Sequence, residues 1–151
     1  MKHSSFHIYY REVSIEEGFS ILAEDKENRL VRGKKVSAPR GLPLFQREHT
    51  AGNKLTCWCC GIEASCFVAS KHKNDIQEKS PVLDLYAYSG TQLLLMTRDH
   101  IIPRSLGGSN DIKNLRIGCV TCNRDRGNTM SQDELDFMRN NPHLIIGEKH
   151  D

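Results

Sequence analysis

Residues 97–128 read TRDHIIPRSLGGSNDIKNLRIGCVTCNRDRGN, and this stretch decides which fold the sequence predicts. Cys119 and Cys122 have the C-x2-C spacing that lets two thiolates reach one metal ion through a tight turn. Asp99 and His100 are adjacent at the end of an apolar run that we expect to be a strand. Neighbouring side chains of a strand point to opposite sides, so one would face a metal ion and the other a water molecule.

A second C-x2-C pair, Cys57 and Cys60, lies far upstream within the sequence CWCCG. Two such pairs in a chain without an export signal favour metal ligation over disulfides. Because zinc prefers four tetrahedral ligands, the sequence predicts a closed structural zinc site formed by Cys57, Cys60, Cys119 and Cys122. Cys59 would replace Cys57 only with poorer spacing. Cys66 has no partner at ligand spacing and is expected to be a small buried residue.

The chemistry of Asp99 and His100 suits phosphodiester hydrolysis, which needs an activated water and a Lewis acid on the phosphate. An imidazole accepts a proton near neutral pH. Carboxylate and amide oxygens are hard ligands suited to magnesium or manganese. Taken alone, each residue also has an ordinary structural interpretation, Asp99 as a turn cap and His100 as a core or surface histidine.

Four groups of residues together form a specific pattern: Asp99-His100-Ile101-Ile102-Pro103, Gly107-Gly108-Ser109-Asn110, Asn114-Leu115 and Cys119-Val120-Thr121-Cys122-Asn123-Arg124. In these residues the chain resembles the HNH nuclease family, over about residues 93–128. The sequence CWCCG at 57–61, which resembles a zinc knuckle, extends the resemblance. The resemblance implies two antiparallel strands and a helix around one metal ion. We therefore expect an α+β fold with a ββα-metal core, a structural zinc knuckle, an N-terminal helix and a basic arm.

The resemblance also implies roles for single residues. His100 would be the general base, and Asp99 and Asn123 would be the protein ligands of a catalytic Mg2+ or Mn2+ ion. Asn114 would hydrogen-bond the backbone across the loop and orient His100. Gly127 stands where some family members have a further ligand, so water and phosphate would complete the shell, which favours magnesium. The candidate nucleic-acid contacts are Arg98, Arg104, Arg124 and Arg126, although Arg98 and Arg104 fit a solvated surface equally well.

The remaining sequence is that of an ordinary globular protein of 151 residues, 38% hydrophobic and 26% charged. It has no apolar run long enough to span a bilayer, and its first residues lack the apolar core of a secretory signal, so we expect a cytoplasmic location. The net charge of +2 indicates no particular partner. Between Lys26 and Lys54, however, there are eight basic residues and two acidic ones. This excess is equally compatible with a phosphate contact and with a solvated linker.

Residue patterns predict the element order along the chain. We expect a strand over 6–10, a helix from Ser14 to about Glu27, an extended arm over 28–56, and a strand over 63–70. A polar loop over 71–80 precedes a hairpin whose strands, 82–88 and 91–97, flank Ser89-Gly90. A strand at 115–118 and a helix from Ser131 to about Asn140 complete the chain. The predicted division is 1–56, an N-terminal helix and basic arm, and 57–151, a zinc-stapled nuclease domain.

The function that the resemblance implies is a metal-dependent HNH endonuclease that hydrolyses phosphodiester bonds, with DNA as the expected partner. One such site cuts one strand, which suits a nicking enzyme, but the sequence does not decide between nicking and double-strand cutting. The alternative is a catalytically silent module of the same fold that binds nucleic acid or a nucleoprotein partner. A zinc ribbon for protein interaction is a third possibility, but it leaves Asp99, His100 and Asn123 without a role. Trp58, Tyr86 and Tyr88 are expected to pack in the core or on strands.

Overall fold

A computed structural model describes residues 7–72 and 80–146 of the chain. The main feature is a five-stranded antiparallel sheet. In their order across the sheet, its strands are β1 (His7–Val13), β4 (Cys66–His72), β5 (Val82–Ser89), β6 (Gln92–His100) and β7 (Leu115–Cys119). A small hairpin joins β2 (Leu30–Val31) to β3 (Lys34–Lys35). The helices of the described residues are α1 (Ile15–Leu22), α2 (Leu42–Thr50), α3 (Val120–Arg126) and α4 (Gln132–Asn140).

The main core lies on one face of the sheet. Alternate strand residues such as Phe67, Leu85 and Met96 are buried there, as the two-residue period of a strand requires. Leu22 from α1 and Phe45 from α2 belong to the same core. The opposite face carries a smaller buried cluster, formed by Cys66, Val68, Tyr86 and Leu93. No helix among the described residues is both long enough and apolar enough to cross a membrane.

The prediction of an extended arm over residues 28–56 is wrong. This segment contains β2, β3 and α2. It buries apolar side chains in the main core, namely those of Val31, Val36, Leu42, Leu44, Phe45 and Leu55. Its prolines and cations suggest a linker, yet Pro43 lies in the first turn of α2, where the missing N–H leaves no bond unmade. Residues on both sides of the predicted boundary at 56 therefore share one core.

Both predicted helix starts are confirmed. The Ser14 hydroxyl accepts a hydrogen bond from the Glu17 N–H (3.1 Å), and Ser131 forms a reciprocal capping box with Glu134. The first helix ends at Leu22 rather than at the predicted Glu27, and a short 3-10 turn follows it.

The predicted strands are present, with shifted limits. Ser89 pairs with Gln92, so the hairpin turn is Gly90-Thr91 rather than Ser89-Gly90. Gly90 has a φ of 62°, as the first central residue of a type II′ turn requires. The start of the predicted strand over 6–10, and most of the predicted loop over 71–80, lie outside the described residues.

β5 and β6 separate along their length. Their ladder runs from the pair Tyr86–Leu95 to the pair Ser89–Gln92. Past Leu95, β6 continues paired with β7 on its other side. The first part of β5 pairs instead with the segment after β3. There the Leu83 N–H donates to the Ser37 carbonyl (2.9 Å), and Ser37 forms a β-bridge with Val82. The separation opens a groove beside the C-terminal half of β6.

Candidate metal centre and the adjoining cavity

Four cysteine sulfurs converge between the segment after α2 and the junction of β7 with α3. The Sγ atoms of Cys57, Cys60, Cys119 and Cys122 all lie within 4.8 Å of one another, and those of Cys60 and Cys119 are 3.9 Å apart. Sulfurs bound tetrahedrally to zinc at about 2.3 Å are about 3.8 Å apart. The cluster therefore has the dimensions of a four-thiolate metal site, as the sequence predicts.

The backbone around this cluster favours a thiolate at Cys57. Burial opposes ionisation of the Cys57 thiol, but N–H groups of Cys119, Cys60 and Cys59 lower its pKa to about 6. Burial raises the pKa of Cys119 and of Cys122. Four thiolates this close together repel one another, so a cation is needed to keep them all ionised. A divalent metal ion such as zinc fits this donor set.

The two remaining cysteines lie outside the cluster. Cys59 is exposed. Cys66 is buried on the opposite face of the sheet, and burial raises the pKa of its thiol to about 12. Such a thiol is inert, which agrees with the expectation of a small buried residue.

A cavity of about 250 Å³ lies at the end of β6, next to α3. Asp99 and His100 line it from β6, and Asn123 lines it from α3. They meet because β6 pairs with β7, and α3 begins directly after β7 and folds back onto both strands. The structure thus brings together the predicted base and the two predicted metal ligands. Gly127 also lines the cavity.

Asn114 fixes the loop that follows His100. It is fully buried, and its Oδ1 accepts a hydrogen bond from the Ile102 N–H (2.8 Å). Its Nδ2 donates to the carbonyls of Ile102 (3.1 Å) and Ser109 (2.9 Å). A side chain at Gly108 would clash with the Ile102 carbonyl, so the loop closes tightly. Asn114 therefore bonds backbone across the loop, and these three side-chain hydrogen bonds do not involve the His100 ring.

Asn110 is the residue that contacts the His100 ring. Its Oδ1 lies 2.7 Å from His100 Nε2. As an acceptor, this oxygen places the ring proton on Nε2 and leaves Nδ1 as the basic nitrogen. Sequence reasoning missed this role, although Asn110 belongs to one of the four groups that carry the family resemblance.

Asp99 belongs to a network of two carboxylates and two guanidinium groups. Arg116 Nε donates to Asp99 Oδ2 (2.8 Å), and Arg126 Nη1 lies 3.3 Å from both carboxylate oxygens. Glu134 of α4 pairs with the same two arginines. Burial opposes ionisation of Glu134, but the Ser131 N–H and Arg116 lower its pKa. The network ties α4 to the cavity and was not predicted from the sequence.

The predicted nucleic-acid contact of Arg126 does not agree with this geometry. Its side chain is 6% exposed. Besides Asp99 and Glu134, it donates to the carbonyls of His100 (2.7 Å) and Ile101 (2.6 Å). Every arm of the guanidinium is thus bound within the protein, so Arg126 positions the end of β6 instead of facing a phosphate.

The other predicted arginine contacts are available. Arg104 and Arg124 are exposed, and Arg98 is half-buried. Within 7–72 and 80–146 none of the three takes part in an ion pair. Arg98 and Arg104 line the cavity, whereas Arg124 does not.

Trp58 connects the cysteine cluster to the cavity. Its Nε1–H donates to Asn123 Oδ1 (3.3 Å), and the guanidinium of Arg116 stacks on its ring, 3.7 Å from the centroid. Asn123 also donates to the Thr97 hydroxyl. Any side chain at Gly118 would clash with Asn123 Oδ1. Trp58 therefore holds one predicted metal ligand directly and the other, Asp99, through Arg116.

The donor set of the cavity fits a hard cation. Asp99 offers a carboxylate and Asn123 an amide oxygen, both suited to magnesium or manganese. Asp99 Oδ1 has only the longer contact with Arg126, so it retains a free lone pair. The guanidinium groups beside Asp99 repel a metal cation. The negative charge of a substrate phosphate would offset this repulsion and complete the coordination shell.

A family model for HNH endonucleases matches residues 90–135 of the chain. The match contains β6, β7 and α3, and with them Asp99, His100 and Asn123. It excludes the first cysteine pair and all of residues 1–89. No curated protein and no solved structure gives a significant match to the chain.

Proposed function

We propose that the protein is a metal-dependent endonuclease of the HNH type that hydrolyses phosphodiester bonds in DNA. The observation that carries the proposal is that Asp99, His100 and Asn123 line one cavity beside an antiparallel strand pair and a helix. The family match over residues 90–135 supports it independently of that geometry. The architecture of β6, β7 and α3 suits the expected ββα-metal core.

In the proposed mechanism His100 is the general base. Asn110 holds the Nε2–H, so Nδ1 accepts the proton of the attacking water. Asn114 and Arg126 bind the backbone on both sides of the cavity loop and keep the ring in place. Asp99 and Asn123 would hold a magnesium or manganese ion, which when bound polarises the phosphate and stabilises the leaving oxygen. Arg98 and Arg104 contact phosphate charge at the rim.

The four-cysteine site would hold zinc in a structural role. All four positions of a tetrahedral ion are filled by sulfur, so neither water nor substrate binds there. Its contribution to the reaction is indirect and passes through Trp58, which lies between two of the ligating cysteines and contacts Asn123.

The competing proposal is a silent module that binds nucleic acid without cutting it. It shares the fold and the basic rim but does not require the Asn110–His100 bond or a carboxylate next to the base. The presence of both features at His100 favours the enzyme.

Cleavage of supercoiled plasmid tests the proposal. With Mg2+ or Mn2+ we expect wild-type protein to nick the plasmid and His100→Ala to lose at least about a hundredfold in rate, the usual contribution of a general base. His143→Ala, which changes an exposed histidine away from the cavity, is the matched control and should retain activity. Melting temperatures confirm that both variants fold.

Two results would contradict the proposal. Equal nicking by wild type and His100→Ala would remove His100 from the mechanism. If wild type binds nucleic acid yet leaves DNA and RNA intact with every divalent metal tried, the silent module is the correct function.

A further inference from the structure

The groove between β5 and β6 continues the cavity at His100. It has a volume of about 590 Å³. Arg98, His100 and Arg104 line both the groove and the cavity, so the two spaces share a wall. The outer wall comes from the segment after β3, which contributes Arg40, and from Phe45 of α2. Both lie outside the segment that matches the nuclease family.

A second groove is lined by Val36 and Pro81, the residues that precede the bridged pair Ser37 and Val82. Its volume is about 410 Å³. The residues that line it are four cations, Arg11, Arg32, Lys34 and Lys71, and four apolar residues, Val31, Val36, Ala69 and Pro81. No acidic side chain of the described residues lines it. The segment that the sequence presented as a basic arm therefore forms one wall of each groove.

Four of the cations that line the two grooves are not neutralised by an ion pair within the described residues. In the part of the chain that the structure describes, Arg11, Arg32, Lys34 and Arg40 form no ion pair. Among the described residues, one carboxyl group lines the groove between β5 and β6, that of Asp84, and burial raises its pKa to about 7. Clustered cations of this kind repel one another and attract a polyanion.

The arrangement of the cations points to a polymer as the ligand. A single phosphate or mononucleotide would occupy one groove and leave the cations of the other groove without an anionic ligand. A nucleic-acid backbone carries a charge at every nucleotide and can pass from one groove to the other. The apolar residues that line the grooves can contact the sugars and bases between the phosphates.

From these contacts we infer that the two grooves form one binding track for a DNA strand that leads away from the cavity at His100. The identity of the strand as DNA rests on the proposed function. The track adds binding residues that lie outside the family-matched segment, chiefly Arg40 beside the cavity and Lys34 at the far end. It is a non-specific contact with the backbone, so it holds the strand without reading its sequence.

The test measures DNA binding separately from cleavage. In a His100→Ala background, fluorescence anisotropy with a labelled oligonucleotide gives the Kd at several salt concentrations. Arg40→Gln and Lys34→Gln should each weaken binding severalfold. Each should also reduce the slope of log K against log salt by about 0.7–0.9, the effect of one lost phosphate contact. Lys35→Gln is the matched control, because Lys35 is the exposed neighbour of Lys34 on β3 and lines neither groove.

The outcomes separate the track from the enzymatic activity. If Arg40→Gln and Lys34→Gln behave like Lys35→Gln, the track is wrong even when the wild-type protein nicks plasmid. If both variants bind DNA more weakly and with a smaller salt dependence, while the wild-type protein cleaves no nucleic acid, the track stands and the nuclease proposal fails. Polyglutamate that competes as well as unlabelled DNA of equal charge would overturn the assignment to nucleic acid. Melting curves exclude misfolding as the cause of lost binding.

Discussion

At the residue scale, two asparagines near His100 have different bonding partners. Asn114 is buried and bonds only to backbone, so it shapes the loop. Asn110 is exposed and bonds to the ring itself. Removing Asn114 would therefore damage the fold, whereas removing Asn110 would mainly release the ring. This difference makes Asn110 the better probe of the proposed base.

We expect Asn110→Ala to lower kcat by about fivefold to tenfold, because a hydrogen bond of about 1 kcal/mol no longer holds the ring and its tautomer. Plasmid-nicking kinetics with magnesium measure this change, and the melting temperature should stay within about 2 °C of wild type. Asn140→Ala, at an exposed position of α4, is the control. An Asn110 variant with wild-type kcat would show that the ring needs no such support.

At the element scale, the salt-bridge network joins α4 to the strand that ends at His100. Arg116 is on β7, Arg126 ends α3 and Glu134 lies in the first turn of α4. Three elements thus meet around Asp99, with their charges balanced. These charged groups are largely buried, so water cannot solvate them well. Removing one partner therefore leaves an uncompensated charge in the protein interior.

Glu134→Gln tests this network through its pH dependence. The folded pKa of Glu134 lies below its usual value of 4.5, so its stabilising effect is present above pH 4.5 and is lost as the pH falls through the folded pKa. At pH 7 we expect the free energy of unfolding to fall by about 3 kcal/mol. The difference from wild type should shrink below pH 4. Denaturant melts at several pH values measure both effects.

Asp133→Asn provides the control for this prediction, because Asp133 is the exposed neighbour of Glu134 on the same helix turn. It should change stability by less than about 0.5 kcal/mol at either pH. A Glu134→Gln variant whose destabilisation is the same at pH 3 and pH 7 would argue against a charge network.

At the scale of the whole molecule, the cysteine cluster joins two parts of the chain that are far apart in sequence. One pair follows α2 and the other spans the end of β7 and the start of α3. The core alone is modest for a chain of this length, so we expect a bound zinc ion to contribute strongly to stability. Trp58 is the single tryptophan of the chain and lies inside the cluster loop, so its fluorescence reports on this region.

We expect chelation of the metal, or Cys119→Ser, to lower the melting temperature by about 10 °C or more and to shift the Trp58 emission to the red. Metal removal exposes the indole and breaks its contact with Asn123, so nicking should fall as well. Cys59→Ser is the matched control, since Cys59 is exposed in the same loop but outside the cluster. Purified protein without stoichiometric zinc and with unchanged melting after chelation would rule the site out.

The sequence by itself determined the features that depend on short spacing. The C-x2-C pairs, the helix caps at Ser14 and Ser131, and the adjacent Asp99 and His100 can all be read locally, because ligand reach and capping act over two to four residues. An apolar run likewise located the strand that leads into Asp99 and His100.

The tertiary structure alone decided which cations are free and which are bound. The sequence does not distinguish Arg126 from Arg40. In the structure Arg126 pairs with Asp99 and Glu134, whereas Arg40 lines a groove. The fold of residues 28–56 and the contact of Trp58 with Asn123 also depend on partners distant in sequence. Local patterns contain no information about such partners, because packing chooses them only once the sheet and helices have come together.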